Sequence, residues 1–208
     1  MIPLFIERLS ERLEMDLPGK DSQYKMMVRP QRFKLNEYQK KGRPASVLLL
    51  LYPLNEGWSF FLTKRSHDVE HHKGQIALPG GMVEKNESLE NAAIRETNEE
   101  IGIEKTQMNI IGCLTSFYVP VSKFEIFPYV GWTSSEPKTL IHDKEVDHVF
   151  SVTVKDLMLK KNRKFKKDMS KSEFNDAFMT SYPSDMPLYP DGGSEFFANS
   201  SNEIVWAP

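Results

Sequence analysis

The chain has 208 residues, of which 39% are hydrophobic and 27% charged, with a net charge of −2. That balance suits one packed domain with additions and argues against a disordered or membrane-embedded chain. The charge gives no reason to expect a nucleic-acid backbone as partner, and the single Cys113 excludes an intrachain disulfide or a multi-cysteine zinc site and fits a reducing compartment.

In chain order, residues 2–14 place Leu4, Phe5, Ile6, Leu9 and Leu13 at near-helical spacing among Glu7, Arg8, Glu11 and Arg12. This predicts a short amphipathic helix, ended by Leu17-Pro18-Gly19. Its apolar start meets Glu7 and Arg8 too soon for a signal-peptide core. The apolar run Val47–Tyr52 is far below the roughly 20 residues of a membrane span, so a cytoplasmic protein without a membrane partner is expected. Residues 20–45 are polar and irregular. Ala45–Tyr52 then reads as a strand buried on both faces, Asn55-Glu56-Gly57 as a hairpin turn, and Trp58–Thr63 as the next strand.

A shorter strand, Gln75–Leu78, runs into Pro79-Gly80-Gly81. Ser88–Ile101 is a helix with Ser88 as N-cap and Gly102 placed for a left-handed C-cap. Strands are predicted at Met108–Tyr118, Phe124–Trp132 and Val146–Val152, and a short helix at Val154–Lys160. Lys160–Lys167 is basic, and the chain beyond it is loop-like up to residue 202. The whole, 1–208, reads as a single mixed α/β (α+β) domain. Residues 1–44 form its N-terminal helix and extension, 45–160 its core, and 161–208 a basic, loop-rich C-terminal segment.

The chemistry concentrates between Gly81 and Ile103. Gly81 is followed after five residues by Glu87, and after seven more by Arg95-Glu96-Thr97-Asn98-Glu99-Glu100-Ile101-Gly102-Ile103. On a helix, Glu96, Glu99 and Glu100 stand at i, i+3 and i+4 and share one face. Carboxylates so close repel one another, and a hard divalent cation among them relieves the repulsion. Arg95 is expected off that face, pairing with Glu87 to fix the loop against the helix. Ala93, Ile94, Thr97 and Ile101 form an adjoining patch suited to packing on a sheet. An acidic surface helix is the plain alternative. Seven fixed positions on average residue usage coincide with a chance near ~10⁻⁸, and the pattern comes after a strand and a Gly-Gly turn, so the functional reading prevails.

Gly81–Ile103 resembles the Nudix box, Gly-x5-Glu-x7-Arg-Glu-U-x-Glu-Glu-x-Gly-U with U aliphatic; Thr97 at the first U is the one departure. The resemblance implies an α/β/α sandwich around a mixed β-sheet, and hydrolysis of a nucleoside diphosphate linked to another moiety with Mg²⁺ or Mn²⁺. It implies that Glu96, Glu99 and Glu100 are metal ligands and that Gly81, Glu87, Arg95 and Gly102 frame the box. The residue that positions or deprotonates the attacking water is left open among Glu99, Glu100 and Glu145, the last in Lys144-Glu145-Val146.

Upstream, Leu62-Thr-Lys-Arg-Ser66 and His72-Lys-Gly-Gln-Ile-Ala-Leu-Pro-Gly-Gly81 are similar to the signature of coenzyme A pyrophosphatases, with Glu70-His71 where that signature has Leu-Arg and Leu78 where it has Phe. This implies coenzyme A or a derivative as substrate, cleaved to 4′-phosphopantetheine and 3′,5′-ADP, with Lys64, Arg65, His72 and Gly81 as substrate contacts. ADP-ribose or dinucleoside polyphosphates are the alternative substrates, and an inactive nucleotide-binding module the alternative class. RNA decapping is disfavoured by the near-neutral charge. Glu203-Ile-Val-Trp206 resembles the last strand of the subfamily but runs out at Ala207-Pro208, where the family continues into a closing helix. One apolar face of the sheet is therefore expected to need another cover: the N-terminal helix, or a second subunit in a homodimer.

Overall fold

The computed structural model describes residues 2–19, 23, 42–55, 57–66, 75–119, 122–141 and 144–158, and the backbone alone of 195–198 and 204–207. Helix α1 (Leu4–Glu14) leads into β1 (Arg43–Leu54) and β2 (Gly57–Arg65). The short strands β3 (Ile76–Ala77) and β4 (Gly80–Met82) precede helix α2 (Leu89–Ile101). A 3₁₀ turn at Lys105–Gln107 is followed by β5 (Asn109–Cys113), β6 (Phe117–Val119), β7 (Phe124–Trp132), β8 (Val146–Thr153) and α3 (Val154–Met158). Two further strands, β9 (Glu195–Ala198) and β10 (Ile204–Ala207), pair antiparallel as a separate ribbon, so strand replaces the loop expected before residue 202.

The main sheet is mixed. β1 runs parallel to β7, and its other pairings, to β2 and β4, are antiparallel. The β1–β2 turn closes where Leu54 faces Gly57, with Asn55 at φ 52°, a left-handed conformation that asparagine tolerates. β1 and β2 then stay paired only from Leu54–Gly57 to Leu51–Phe60. Beyond that point β1 takes β4 as its neighbour, from Val47–Gly80 to Ala45–Met82. β2 takes β3, through Thr63–Ala77 and Lys64–Ile76. The sheet therefore forks, and the segment with the Gly-Gly turn fills the fork.

The expected strand at Met108–Tyr118 is two strands, β5 and β6, both paired to β7. Pro128 supplies the reason: it has no N–H to donate, and it lies between the β7 residues that pair with β5 and those that pair with β6. Its carbonyl accepts from Leu114 N at 2.8 Å, in the gap between the two strands.

Alternation along β1 and β2 divides the core between the two faces. On one, Leu48, Leu50, Tyr52 and Phe61 pack with Ala93, Ile101 and Ile103 of and beyond α2. On the other, Leu51, Phe60, Leu62, Ile76, Val130 and Val152 surround Ile6 of α1, which is fully buried. Leu9 and Leu13 of α1 and Val154 and Leu157 of α3 pack against this second cluster. Leu13 also lies against Gly112, where a Cβ would come within 2.9 Å of it. Among the described residues α1 and α3 cover this second face, giving helices on both sides of the mixed sheet.

Candidate active site

Helix α2 begins as its sequence dictates. Ser88 is extended, and its Oγ accepts the Asn91 N–H at 3.1 Å. At the other end Gly102 adopts φ 71° and donates to Asn98 O at 2.9 Å, while Asn98 Nδ2 holds the Ile103 carbonyl. Ala92, Ala93, Thr97 and Ile101 are buried against the sheet. Thr97, the one departure from the aliphatic pattern, satisfies its hydroxyl by donating to Ala93 O at 2.7 Å.

The same helix brings Glu96 and Glu100 under the Gly-Gly turn in the fork. Gly80 N–H donates to Glu100 Oε2 at 3.2 Å. At Gly81 a Cβ would stand 2.5 Å from the Glu96 carboxylate, so any side chain there would displace the acid from its seat. Glu100 is almost fully buried, with Arg65 Nη1 3.5 Å from Oε1. Burial, opposed by Arg65 and the Gly80 N–H, raises Glu100 to about 7. Burial also raises Glu96, against the hydrogen bond and charge of Arg95, and the negative charge of Glu145 pushes both acids the same way. Glu145 is exposed, and its backbone carbonyl accepts Ser66 N–H at 2.9 Å, next to Arg65.

Arg95 does more than sequence reasoning assigned it. As expected it forks onto Glu87, with Nε to Oε1 at 2.9 Å and Nη2 to Oε2 at 3.0 Å. It also donates to Glu96 Oε1 at 2.9 Å, to Glu99 Oε2 at 3.0 Å and to the Met82 carbonyl at 3.0 Å. Rather than lying off the carboxylate face, its long side chain crosses to it. The Glu87 fork raises the Arg95 pKa and holds Glu87 below the usual carboxylate range. Loop 82–87 is thereby sewn to the helix, with Glu84 N also donating to Glu87 Oε2.

The structure thus joins Glu96, Glu100, Arg65 and Gly81, sets Glu145 within electrostatic reach, and turns the half-exposed Glu99 toward Arg95. Among the described residues, no three His, Cys, Asp or Glu side chains meet at metal-ligand distances. The donor set nonetheless fits a hard cation: two desolvated carboxylates resist charging without a positive partner, and carboxylate oxygen is what Mg²⁺ and Mn²⁺ select. Lys64 is separated from this group. Its Nζ lies 3.6 Å from Asp147, and β2 alternation puts it on the α1 side while Arg65 faces α2. His72 lies outside the described residues, as does Lys160–Lys167. Gly80 had no role in the sequence reading although it belongs to the Pro-Gly-Gly pattern, and Asp147 carried no signal at all. No described helix is long and apolar enough to cross a membrane.

A family model described as the NUDIX domain matches residues 41–172. The chain is similar to Nudix hydrolase 3 of Caenorhabditis elegans, at 34% identity over 118 residues, 55% of this chain and 49% of that protein. It is similar to a NudL Nudix hydrolase of Pectobacterium atrosepticum, described as uncharacterized, at 31% identity over 116 residues, 55% of this chain and 58% of that one. Among solved structures, a C. elegans Ap4A hydrolase binary complex aligns over 66% of this chain and 99% of its own, at 22% identity and a TM-score of 0.47. The chain spans about half the length of the curated relatives it matches.

Proposed function

Because the chain belongs to the NUDIX domain family, we propose that it is a metal-dependent pyrophosphohydrolase acting on coenzyme A or a derivative. The observation that carries the reading is the pairing of buried Glu100 with half-buried Glu96 beneath Gly80 and Gly81, with the Arg65 guanidinium against Glu100.

Glu96 and Glu100, with Glu99 beside them, are the residues that would hold Mg²⁺ or Mn²⁺, which would supply Lewis acidity to the phosphoryl oxygens and acidify a water. Arg65 binds a substrate phosphate oxygen, its guanidinium being suited to a fork onto phosphate. Glu145, exposed at the rim, accepts the proton of the attacking water. The Gly80 N–H fixes the Glu100 carboxylate, and Arg95 keeps the helix and loop 82–87 in register. The coenzyme A assignment is supported by the Arg65-Ser66 and Pro79-Gly80-Gly81 elements of the upstream signature.

The test is a substrate panel: coenzyme A, ADP-ribose, NADH and diadenosine polyphosphates, each with Mg²⁺ and with Mn²⁺. Release of 3′,5′-ADP and 4′-phosphopantetheine with the highest kcat/KM is the expected outcome. Preference for ADP-ribose or a dinucleoside polyphosphate would overturn the substrate, and binding without cleavage of any would overturn the activity.

A further inference from the structure

β2 and β8 pair residue for residue from Ser59–Thr153 to Lys64–His148, and then Arg65 faces Val146. Asp147 is the extra residue, a bulge on β8 at the level of the carboxylate site. In an unbroken ladder Asp147 would oppose Arg65 on the α2 side. The bulge instead sets Val146, almost fully buried, opposite Arg65. The Asp147 carboxylate goes to Lys64 Nζ at 3.6 Å and lies 3.4 Å from His148 Nδ1. Arg65 is left with Glu100 as its acidic neighbour, and its buried Nε has no hydrogen-bond partner among the described residues. One residue before Val146, the Glu145 carbonyl takes the Ser66 N–H at 2.9 Å, which locks the start of β8 to the end of β2.

We infer that Lys64 and Asp147 are positioning residues: their ion pair holds the bulge that keeps Asp147 off Arg65 and presents Glu145 at the rim of the Glu96–Glu100 pair. This rests on the hydrolytic reading above and gives Lys64 a different role from the phosphate contact expected of a cation beside a coenzyme A site. The charge of Glu145 reaches both Glu96 and Glu100, as this placement requires. Bulges beside active sites commonly re-aim a side chain in this way.

The experiment compares Lys64→Met, Asp147→Asn and the charge-swapped double variant Lys64→Asp/Asp147→Lys. Steady-state kinetics on the best substrate of the panel are measured together with amide hydrogen exchange at Ser66. The two single variants are expected to lower kcat alike, by about tenfold or ~1.4 kcal/mol of barrier, with KM unchanged and faster Ser66 exchange. The swapped variant restores both. A raised KM in Lys64→Met with Asp147→Asn unaffected would overturn the inference in favour of a direct substrate contact. Unchanged kcat and unchanged Ser66 exchange in both single variants would overturn it in favour of an ordinary surface pair. Should the wild-type protein cleave nothing in the panel, the hydrolytic reading fails. Ser66 exchange then decides the clamp by itself, unchanged protection sinking it.

Discussion

The two faces of the sheet are built on opposite principles. The α1 face has an apolar centre: Ile6 sits among Leu51, Phe60, Leu62, Ile76, Val130 and Val152, and the charged Lys64–Asp147 pair lies farther along β2 and β8. The α2 face begins the same way, with Leu48, Leu50 and Ala93, but toward the fork it buries the Glu100 carboxylate and partly buries Glu96. Burying a carboxylate costs stability, and a core made only for folding avoids it. The contrast teaches which side of the molecule is spent on stability and which on chemistry.

Changes on the two faces should therefore have different signatures. The largest effect is expected from Glu100→Gln, which keeps the shape and the Gly80 contact but removes the charge. Turnover should fall on the order of 10³-fold, comparable to losing a main electrostatic group of an active site, while the thermal midpoint at pH 8 holds or rises. Retained turnover would remove Glu100 from the machinery. Ile6→Ala is the mirror experiment. Deleting a fully buried side chain should cost about 2–5 kcal/mol by denaturant unfolding, with kcat per folded molecule unaltered. A loss under about 0.5 kcal/mol would mean that α1 does not close the sheet.

Metal titration sharpens the comparison further. Mg²⁺ at a hundred times its dissociation constant should stabilise the wild-type protein by about 2.7 kcal/mol, seen as a raised melting temperature, and should do so equally in Ile6→Ala but not in Glu100→Gln. Equal shifts in all three would place the cation elsewhere. The smallest change is Thr97→Val, which restores the aliphatic pattern of the box. It removes one hydroxyl whose hydrogen bond to Ala93 O contributes about 0.5–1.5 kcal/mol, so stability should move by no more than that and turnover should not move.

Much of this was legible in the chain. The caps at Ser88 and Gly102, the strand at Phe124–Trp132 and the helix at the N-terminus come from local rules of capping and periodicity, and the structure has them within a residue or two. The break between β5 and β6 is not legible there, because it depends on Pro128, a residue in the partner strand. The crossing of Arg95 to Glu96 and Glu99 escapes for a related reason. Helical projection places backbone positions, whereas a long guanidinium reaches across a full turn.

The sequence alone determined the Gly81–Ile103 box, because the spacing of its acids on a helix is a local, covalent property. Tertiary structure decided what those acids meet. Only the fork between β1 and β2 sets Gly80 and Gly81 over Glu100 and Glu96, and only the β2–β8 ladder brings Arg65 and Glu145 to them. Only the packing of Ile6 shows which element covers the open face of the sheet. Those contacts join residues far apart in the chain, and burial, which makes the carboxylates demand a positive partner, exists only once they are joined.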